Sequence, residues 1–376
     1  MSNNVNNVNN VNNVILLGVF VFILLIFLKW KKLSREGFEN NGEIVQPEIP
    51  DVKRPFVNFY DNSGNRLNII GISKPFTGDE HYNEYKKYRD MGLIIIGVSS
   101  YLEFPNMVSN PYENFFENYK KYKYKEICRA WLHGFRNPRD YFPPGIPNEL
   151  ISESDFMDCN VAKPDPSVKK EYDFIYICLK QDEKKDVCND WATYNKNWEL
   201  AQKCLAVMCE RHKLRGLLVG RQNCELPEKC NDLMDTTNML EYSKMIETYN
   251  KAKFLFVPNK ADASPRVLAE AMLSDLPILV NSNILGGWKY VNERTGVFFQ
   301  DENNISSAID TLMKGINDDN YSPRRDFLMN YGVINTGKRL KEFLYNTFGN
   351  EINIERHRVD YVVIDNPKKD YRDCGI

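Results

Sequence analysis

The chain has 376 residues, 43% of them hydrophobic, which is enough to build two globular domains with separate cores. Its 49 Lys and Arg residues nearly balance 51 Asp and Glu residues, so the formal net charge of -2 argues against a general nucleic-acid binder with a basic face. The nine cysteines show no CxxC pair and no zinc-ligand spacing with the four histidines. Cys178, Cys204 and Cys209 fall in predicted apolar elements and are interpreted as core thiols, which favours a reducing compartment.

The N-terminus predicts a membrane anchor. Residues 1–13 carry the repeated triplet NNV and are predicted to be a disordered, Asn-rich tail. Residues 14–30 are predicted to be a transmembrane helix, because the 15 residues from Val14 to Leu28 are apolar and uncharged. They would span roughly 22 Å, and the lysines and Trp30 that follow would reach the rest of a bilayer core of about 30 Å. A cleaved signal peptide would need positive charge before this run and small residues after it, and neither is present.

The charges that flank this run predict its orientation. Lys29, Lys31, Lys32 and Arg35 lie on the carboxyl side, whereas the amino side has no Lys or Arg. The positive-inside rule therefore predicts a single-pass membrane protein whose folded part is cytosolic. Residues 31–65 are predicted to be a linker, largely polar and containing several Gly and Pro residues.

The next stretch predicts a first Rossmann-like domain over residues 66–160. LNIIGI predicts a strand, EYKKYRDM a helix and LIIIGVSS a second strand, which is the order of a βαβ unit. His133 follows a further probable strand in KEICRAWLHGFRNP. The proline-containing, acidic segment from Ser152 to Val168 is predicted to be the hinge.

A second Rossmann-like domain is predicted over residues 161–330. Its first strands are predicted at YDFIYICLK, LRGLLVGR and FLFVPN, with helices at NKNWELAQKCLAVMCER and YSKMIETYNKA. A further helix is predicted from about Arg324 through GKRLKEFLYNTF. Residues 331–376 are predicted to be the C-terminal helix and tail, in which VDYVVI predicts a short strand with no assigned place.

The most informative segment is DASPRVLAEAMLSDLPILV, from Asp262 to Val280. Ser264 is a good N-cap and Pro265 suits the first helical turn, so a helix is predicted from there to about Leu273, between two apolar strands. Ligands of such sheets bind beyond the carboxyl ends of the strands, and free N–H groups at a helix N-terminus favour phosphate. The helix start that would present those groups runs from Ser264 to Leu268 and comprises Ser264, Pro265, Arg266, Val267 and Leu268, while Glu270 would accept hydrogen bonds from ribose hydroxyls.

This pattern resembles the retaining glycosyltransferases of family four (group 1), which have the GT-B fold. Their hallmark is an acidic residue, seven residues, and then a Glu in a helix of small residues, as in Asp262 to Glu270 here. Asp262 stands where the family most often has Glu, so its charge is kept but withdrawn by one methylene. The resemblance implies an α/β fold in which a GT-B-like pair of Rossmann-like domains faces a cleft, preceded by the transmembrane helix. The alternative is an ordinary βαβ unit with a solvated Glu on its helix.

The resemblance also implies roles for residues elsewhere in the chain. Asp262, Glu270 and His133 would be catalytic, although His133 is equally well explained as a structural imidazole packed beside Trp131. The donor would contact Lys180, Lys196, Gly220, Arg221 and the helix start from Ser264 to Leu268. The two lysines would neutralise the diphosphate in place of a metal ion, unless they are ordinary surface lysines. The last long helix would return to the first domain.

The predicted function is that of a membrane-anchored, cytosol-facing glycosyltransferase. It would transfer a sugar from a nucleotide-diphosphate sugar to a glycan, lipid or protein acceptor with retention of configuration, without a metal ion or a further cofactor and without a nucleic-acid partner. Two alternatives remain: a catalytically weakened nucleotide- or sugar-binding protein, and a nucleotide-sugar epimerase on the same fold. A nicotinamide dehydrogenase is disfavoured because no predicted strand is followed by GxGxxG.

Overall fold

The computed structural model describes residues 48–106, 121–179, 188, 190–366, 371 and 374. The predicted tail, the predicted transmembrane helix, residues 31–47 of the predicted linker and Lys180 lie outside these residues. Within the described ranges, no helix is both long and apolar enough to cross a membrane. The compact unit from Ile49 to Ile376 contains two β-sheets.

The first sheet takes strands from both ends of this unit. They are β1 (Phe56–Asp61), β2 (Arg66–Ile72), β3 (Ile94–Ser99), β4 (Trp131–His133), β5 (Asn148–Glu149) and β12 (Val362–Ile364). Their order is β12-β1-β2-β3-β4-β5, with β2 to β5 parallel and β1 antiparallel to both of its neighbours. The helices of this part are α1 (Asp79–Asp90) and α2 (Tyr124–Ile127), with 3₁₀ turns at Pro138–Asp140 and Glu153–Phe156.

Strand β1 lies where the sequence predicted a linker, so the first domain begins before Arg66. Its six residues, FVNFYD, are all buried. The tight connection to β2 is stabilised by Asp61, whose Oδ1 accepts the backbone N–H groups of Ser63 (2.8 Å) and Asn65 (2.7 Å). The unplaced VDYVVI segment supplies β12, which pairs with the other edge of β1.

The second sheet is entirely parallel. Its strands are β6 (Tyr172–Ile177), β7 (Gly216–Val219), β8 (Met234–Thr237), β9 (Ala252–Val257), β10 (Ile278–Asn281) and β11 (Gly296–Phe299). Their spatial order, β8-β7-β6-β9-β10-β11, is that of a dinucleotide-binding Rossmann sheet, and the strand order reverses between β6 and β9. The predicted α/β class is therefore confirmed, with two sheets that are largely parallel. Ligands of such sheets bind at the reversal, beyond the strands' carboxyl ends.

Helices cover both faces of this sheet, because its central strands are largely buried and need apolar surface on each side. The helices are α3 (Trp191–Asn195), α4 (Trp198–His212), α5 (Tyr242–Asn250), α6 (Arg266–Leu273), α7 (Ile305–Asn317) and α8 (Pro323–Asn330), with 3₁₀ turns at Glu228–Cys230 and Trp288–Tyr290.

The chain then returns to the first sheet. Helix α9 (Gly332–Phe348) places Leu340, Leu344 and Phe348 in the same core as the side chains of β1 and β2, and is followed by 3₁₀ turns at Gly349–Glu351 and Arg356–Arg358. The sequence predicted one helix from about Arg324, but α8 and α9 are separate. Gly332, with φ of +83°, makes the break between them.

The structure pairs six cysteines in three disulfides, Cys159–Cys374, Cys188–Cys224 and Cys209–Cys230. Cys178 and Cys204 are buried free thiols, as predicted, and Cys128 is a third. The interpretation of Cys209 as a free core thiol is wrong, because its partner Cys230 lies in the 3₁₀ turn that packs against α4.

Candidate active site

The predicted carboxylate Asp262 lies at the point where the strand order of the second sheet reverses. It belongs to the loop between β9 and α6. Lys196, between α3 and α4, donates a hydrogen bond from Nζ to Asp262 Oδ2 at 2.7 Å, and Asn259 Nδ2 donates to the same oxygen at 3.1 Å. The two charged side chains are only 17% and 14% exposed. The structure therefore joins two predicted site residues in a largely desolvated ion pair.

Backbone contacts hold these two loops together. The carbonyl oxygen of Asn195 accepts the N–H of Lys260 at 3.2 Å. Asn197 has φ of +54°, a left-handed conformation that Asn tolerates, and its Nδ2 donates to Pro258 O at 3.2 Å. Because the loop after β9 is fixed to the segment before α4, the Lys196–Asp262 pair is preorganised rather than flexible.

The helix that follows begins later than predicted. Pro265 is its N-cap and Arg266 its first residue, and no side chain caps it. The prediction of Ser264 as the N-cap is wrong because its Oγ instead accepts the N–H of Ser154 at 2.9 Å. Pro265 has no N–H and Leu268 N–H already donates to Pro265 O, so Arg266 and Val267 supply the first-turn amides that remain for an anion.

Glu270 is buried, with 5% of its surface exposed, so it is not a solvated carboxylate on an ordinary helix. Tyr249 O–H donates to Glu270 Oε2 at 2.9 Å. Tyr242 lies on the same side, and burial together with the charge of Glu270 raises the pKa of Tyr242 to about 12. Tyr242 keeps 46% of its surface exposed. A buried carboxylate beside an exposed aromatic ring suits a ligand with both hydroxyl groups and a flat apolar part.

His133 is the last residue of β4 and is buried. Its Nδ1 accepts the N–H of Phe135 at 3.1 Å, so Nε2 carries the proton and donates to Asn148 Oδ1 at 3.2 Å. Burial, together with the positive charge of Lys289, lowers the pKa of His133 to about 4. His133 is thus a neutral imidazole with both ring nitrogens hydrogen-bonded, and its ring stacks on Phe135. These contacts agree with the alternative interpretation of His133 as a structural residue.

The remaining predicted donor contacts are less favourably placed. Gly220 has φ of +96°, and a Cβ there would lie 2.7 Å from Leu179 Cα, so the position requires glycine. The Arg221 guanidinium is fully buried: Nη1 donates to Cys188 O at 2.9 Å and Nη2 to Asp190 Oδ1 at 3.0 Å. In this structure Arg221 stabilises the loop that leads to α3 and presents no charge to the cleft.

The loop after β4 in the first sheet and the loop after β10 in the second sheet both approach the Asp262 loop closely, which the sequence did not predict. A Cβ on Gly134 would lie 2.5 Å from the carbonyl oxygen of Ala263, and one on Gly286 would lie 2.0 Å from the same atom. Trp288 Nε1 also donates to Gly134 O at 2.8 Å. The adjacent pair Gly286–Gly287 was the available signal, since paired glycines in a loop indicate close backbone approach.

Among the described residues, no group of three or more His, Cys, Asp or Glu side chains is arranged to hold a metal ion. The ammonium group of Lys196 lies next to the strand reversal.

Comparison with known proteins supports this architecture. No protein-family model matches the chain, and no curated protein matches it. Sucrose-phosphate synthase from Thermosynechococcus elongatus is similar in structure, with a TM-score of 0.52 and 12% identity over 72% of this chain and 71% of the other. A glycosyltransferase from Rickettsia africae gives a TM-score of 0.52 and 12% identity, with 75% and 77% covered. HepE from Anabaena, in complex with UDP and glucose, gives 0.50 and 11%, with 70% and 74% covered. At these identities the likeness establishes the fold, and the chain has the two-domain GT-B architecture.

Proposed function

We propose that this protein is a retaining glycosyltransferase that takes a sugar from a nucleoside diphosphate donor. The observation that carries the proposal is the joint placement of the Lys196–Asp262 pair, the α6 N-terminus and Glu270 at the strand reversal of the second sheet. In a Rossmann sheet, this is the position at which nucleotides bind.

Each part of the site suits one part of such a donor. The amides of Arg266 and Val267 and the ammonium of Lys196 would stabilise the charge that develops on the leaving diphosphate. Glu270 would accept hydrogen bonds from the ribose hydroxyls. Tyr242, and Met239 with 58% of its surface exposed, provide apolar surface for the base. Asp262 would orient the sugar, and no metal ion is required in this scheme.

The retaining mechanism rests on the resemblance to family four. It would be a same-face displacement, in which the acceptor attacks from the side that the diphosphate leaves. The acceptor is a glycan, a lipid or a protein. We further propose that residues 14–30 anchor the enzyme in a membrane, on the basis of their uncharged apolar sequence.

Nucleotide binding tests the proposal directly. Melting temperatures of the protein and of its Glu270→Gln variant should be measured with UDP, GDP and ADP, beginning with UDP because the similar Anabaena protein was solved with it. Ligand at about 100 times its dissociation constant adds about 2.7 kcal/mol to the stability, which raises the melting temperature by a few degrees. Glu270→Gln should weaken binding at least tenfold, because the charged acceptor for the ribose is lost.

The matched control is Glu199→Gln, a change in the exposed first turn of α4. It should bind nucleotide as the unaltered protein does. If no nucleoside diphosphate shifts the melting temperature of the unaltered protein, the proposed function is wrong.

A binding protein without turnover is the second candidate. The specific observation that favours it is that Asp262 is already bonded to Lys196 and Asn259, which would have to rearrange before Asp262 could contact a sugar. A nucleotide that binds tightly while its sugar conjugates are never consumed, with any acceptor or with water, would support this candidate over the transferase.

A further inference from the structure

A buried polar cluster lies where the chain crosses between the two sheets. It consists of Ser152, Ser154, Asp155, Lys289 and Tyr290, and we call it the hinge network. Asp155 Oδ2 accepts Lys289 Nζ at 2.6 Å and the N–H of Ser152 at 3.0 Å, while Oδ1 accepts Tyr290 O–H at 2.5 Å. The Asp155 side chain is 0% exposed and that of Lys289 is 5% exposed. A charge pair this deeply desolvated requires fixed geometry to be tolerated at all.

The network also holds the chain's return to the first sheet. Thr336 Oγ1, on α9, donates to the carbonyl oxygen of Asp155 at 3.0 Å, and Tyr331 O–H donates to Lys289 O at 3.1 Å. Both connections between the sheets, at residues 152–156 and 331–336, therefore meet at Asp155 and Lys289, the second connection through their backbone carbonyl oxygens and not through the Asp155 carboxylate.

From this carboxylate, one path leads to the loop that carries Asp262. Ser154 N–H donates to Ser264 Oγ at 2.9 Å, and the Ser264 hydroxyl lies 3.1 Å from Ser154 Oγ. Ser154 Oγ also lies 2.9 Å from Tyr290 O–H, which is itself bonded to Asp155. The Ser264 hydroxyl is thus bonded to the hinge network and does not cap helix α6.

A second path reaches the same loop from its other side. Tyr290 ends the 3₁₀ turn Trp288–Tyr290, which directly follows Gly286 and Gly287. Gly286 N–H donates to Asp262 O at 2.8 Å, and a Cβ on Gly287 would lie 2.5 Å from Pro265 Cγ. The loop from Asp262 to Pro265 therefore contacts two segments. One is the hinge segment that contains Asp155, and the other is the segment from Gly286 to Tyr290, which is bonded to Asp155 through Tyr290.

We infer that Asp155 is a positioning residue for the donor site, acting through Ser154 and Ser264 on one side and through Tyr290 on the other. It touches no substrate. Asp155 fixes the positions of Asp262 and of the first amides of α6. Its loss therefore displaces the groups that contact the diphosphate together with the group that contacts the sugar. The effect on donor binding rests on the proposed function, whereas the positioning of the loop by Asp155 does not.

The first test is a pair of buried aspartates. Asp155→Asn removes the charge at the hinge network, whereas Asp326→Asn removes a carboxylate that is also buried and ion-paired, to Arg294, but does not contact the loop. Hydrogen exchange of the amides at 262–268 should accelerate at least tenfold in Asp155→Asn and remain within twofold in Asp326→Asn. Equal acceleration in the two variants would overturn the inference. This readout needs no ligand, so it stands even if the proposed function fails.

The second test uses a smaller change that leaves the ion pair intact. Ser154→Ala removes only the hydroxyl that joins Ser264 to Tyr290, and Ser274→Ala, at the opposite end of α6, is the buried control. At a temperature where both variants are fully folded, Ser154→Ala should raise the dissociation constant for UDP or for the nucleoside diphosphate that binds best about threefold to tenfold. Ser274→Ala should leave it unchanged. An unchanged constant in Ser154→Ala would contradict the inference, whereas absence of binding in the unaltered protein would contradict only the proposed function.

Discussion

Protonation of His133 is linked to the stability of the fold. Burial lowers the pKa of folded His133 to about 4, from an ordinary value of 6.5. Above pH 6.5 the imidazole is neutral in both states and does not affect stability. As the pH falls from 6.5 to 4, the unfolded chain takes up a proton that the folded chain does not, so stability falls with it.

We therefore predict that His133→Gln flattens the acid limb of the stability curve. The unaltered protein should lose roughly 3 kcal/mol through this group between pH 6.5 and 4, and the variant should not. Urea unfolding at a series of pH values measures the difference. His357→Gln, at an exposed position, is the control and should reproduce the original slope. Identical slopes for the His133 variant and the unaltered protein would show that His133 is not held neutral.

Local sequence pattern indicates where some candidate site residues lie in the fold but not what others contact, for a physical reason. Asp262 and Glu270 belong to one short strand–loop–helix segment, so local pattern places both. Arg221 follows a strand in the same way, yet its guanidinium is buried against Asp190, a residue far away along the chain. Partners contributed by distant segments are invisible to local pattern, and for the same reason Asp155 was not recognised.

The loop after β10 has no room for added volume at Gly286. Gly286 has no space for a side chain, because its Cβ would lie 2.0 Å from the carbonyl oxygen of Ala263, a backbone atom that cannot rotate away. Overpacking of this kind costs about 1–3 kcal/mol. The loop that carries Asp262 would also have to move, since Gly286 N–H donates to Asp262 O.

We predict that Gly286→Ser lowers both the melting temperature and the affinity for nucleoside diphosphate, the latter at least tenfold. Gly78→Ser is the matched control, because a Cβ at Gly78 meets nothing within 4 Å and its φ of -175° is open to any residue. Calorimetric titration and thermal unfolding of the two variants measure both effects. A Gly286→Ser protein that binds as tightly as the control would disprove the close packing.

At the level of elements, tertiary contacts explain the two clearest differences from expectation. Helix α6 begins after Pro265 rather than at Ser264, because the Ser264 hydroxyl bonds to the hinge instead of to its own helix. Strand β1 forms in a stretch predicted to be linker because β12, about 300 residues later, completes its pairing. Neither cause is visible within a short window of sequence.

For the whole molecule, an α/β fold with Rossmann-like units was predictable because most strands of the two sheets are parallel, whereas the GT-B arrangement was implied by the family resemblance. Each βαβ unit leaves a periodic signature, and a run of such units permits few arrangements. The return of helix α9 to the first sheet was expected only from the family resemblance, and the order of strands within each sheet was not predicted. The cysteine pairing was not expected at all, since residues 159 and 374 have no local relation.

The pairing of cysteines bears on where the folded part resides. The positive-inside argument predicts the cytosol, where disulfides are rare, whereas the structure forms three of them. We predict that denatured, unreduced protein exposes three alkylatable thiols, those of Cys128, Cys178 and Cys204, and that reduced protein exposes nine. Mass spectrometry counts them, and non-reducing peptide mapping should recover the three linked pairs.

The disulfide Cys209–Cys230 is expected to stabilise the fold. It closes a loop of 21 residues, for which cross-linking stabilises the fold by about 3 kcal/mol in the chain-entropy model. Reduction should therefore lower the melting temperature by several degrees. Nine reactive thiols before reduction would contradict the pairing and support the predicted reducing compartment. Three would place the folded part in an oxidising compartment, so that an anchor at residues 14–30 would have to run opposite to the direction that its flanking lysines predict.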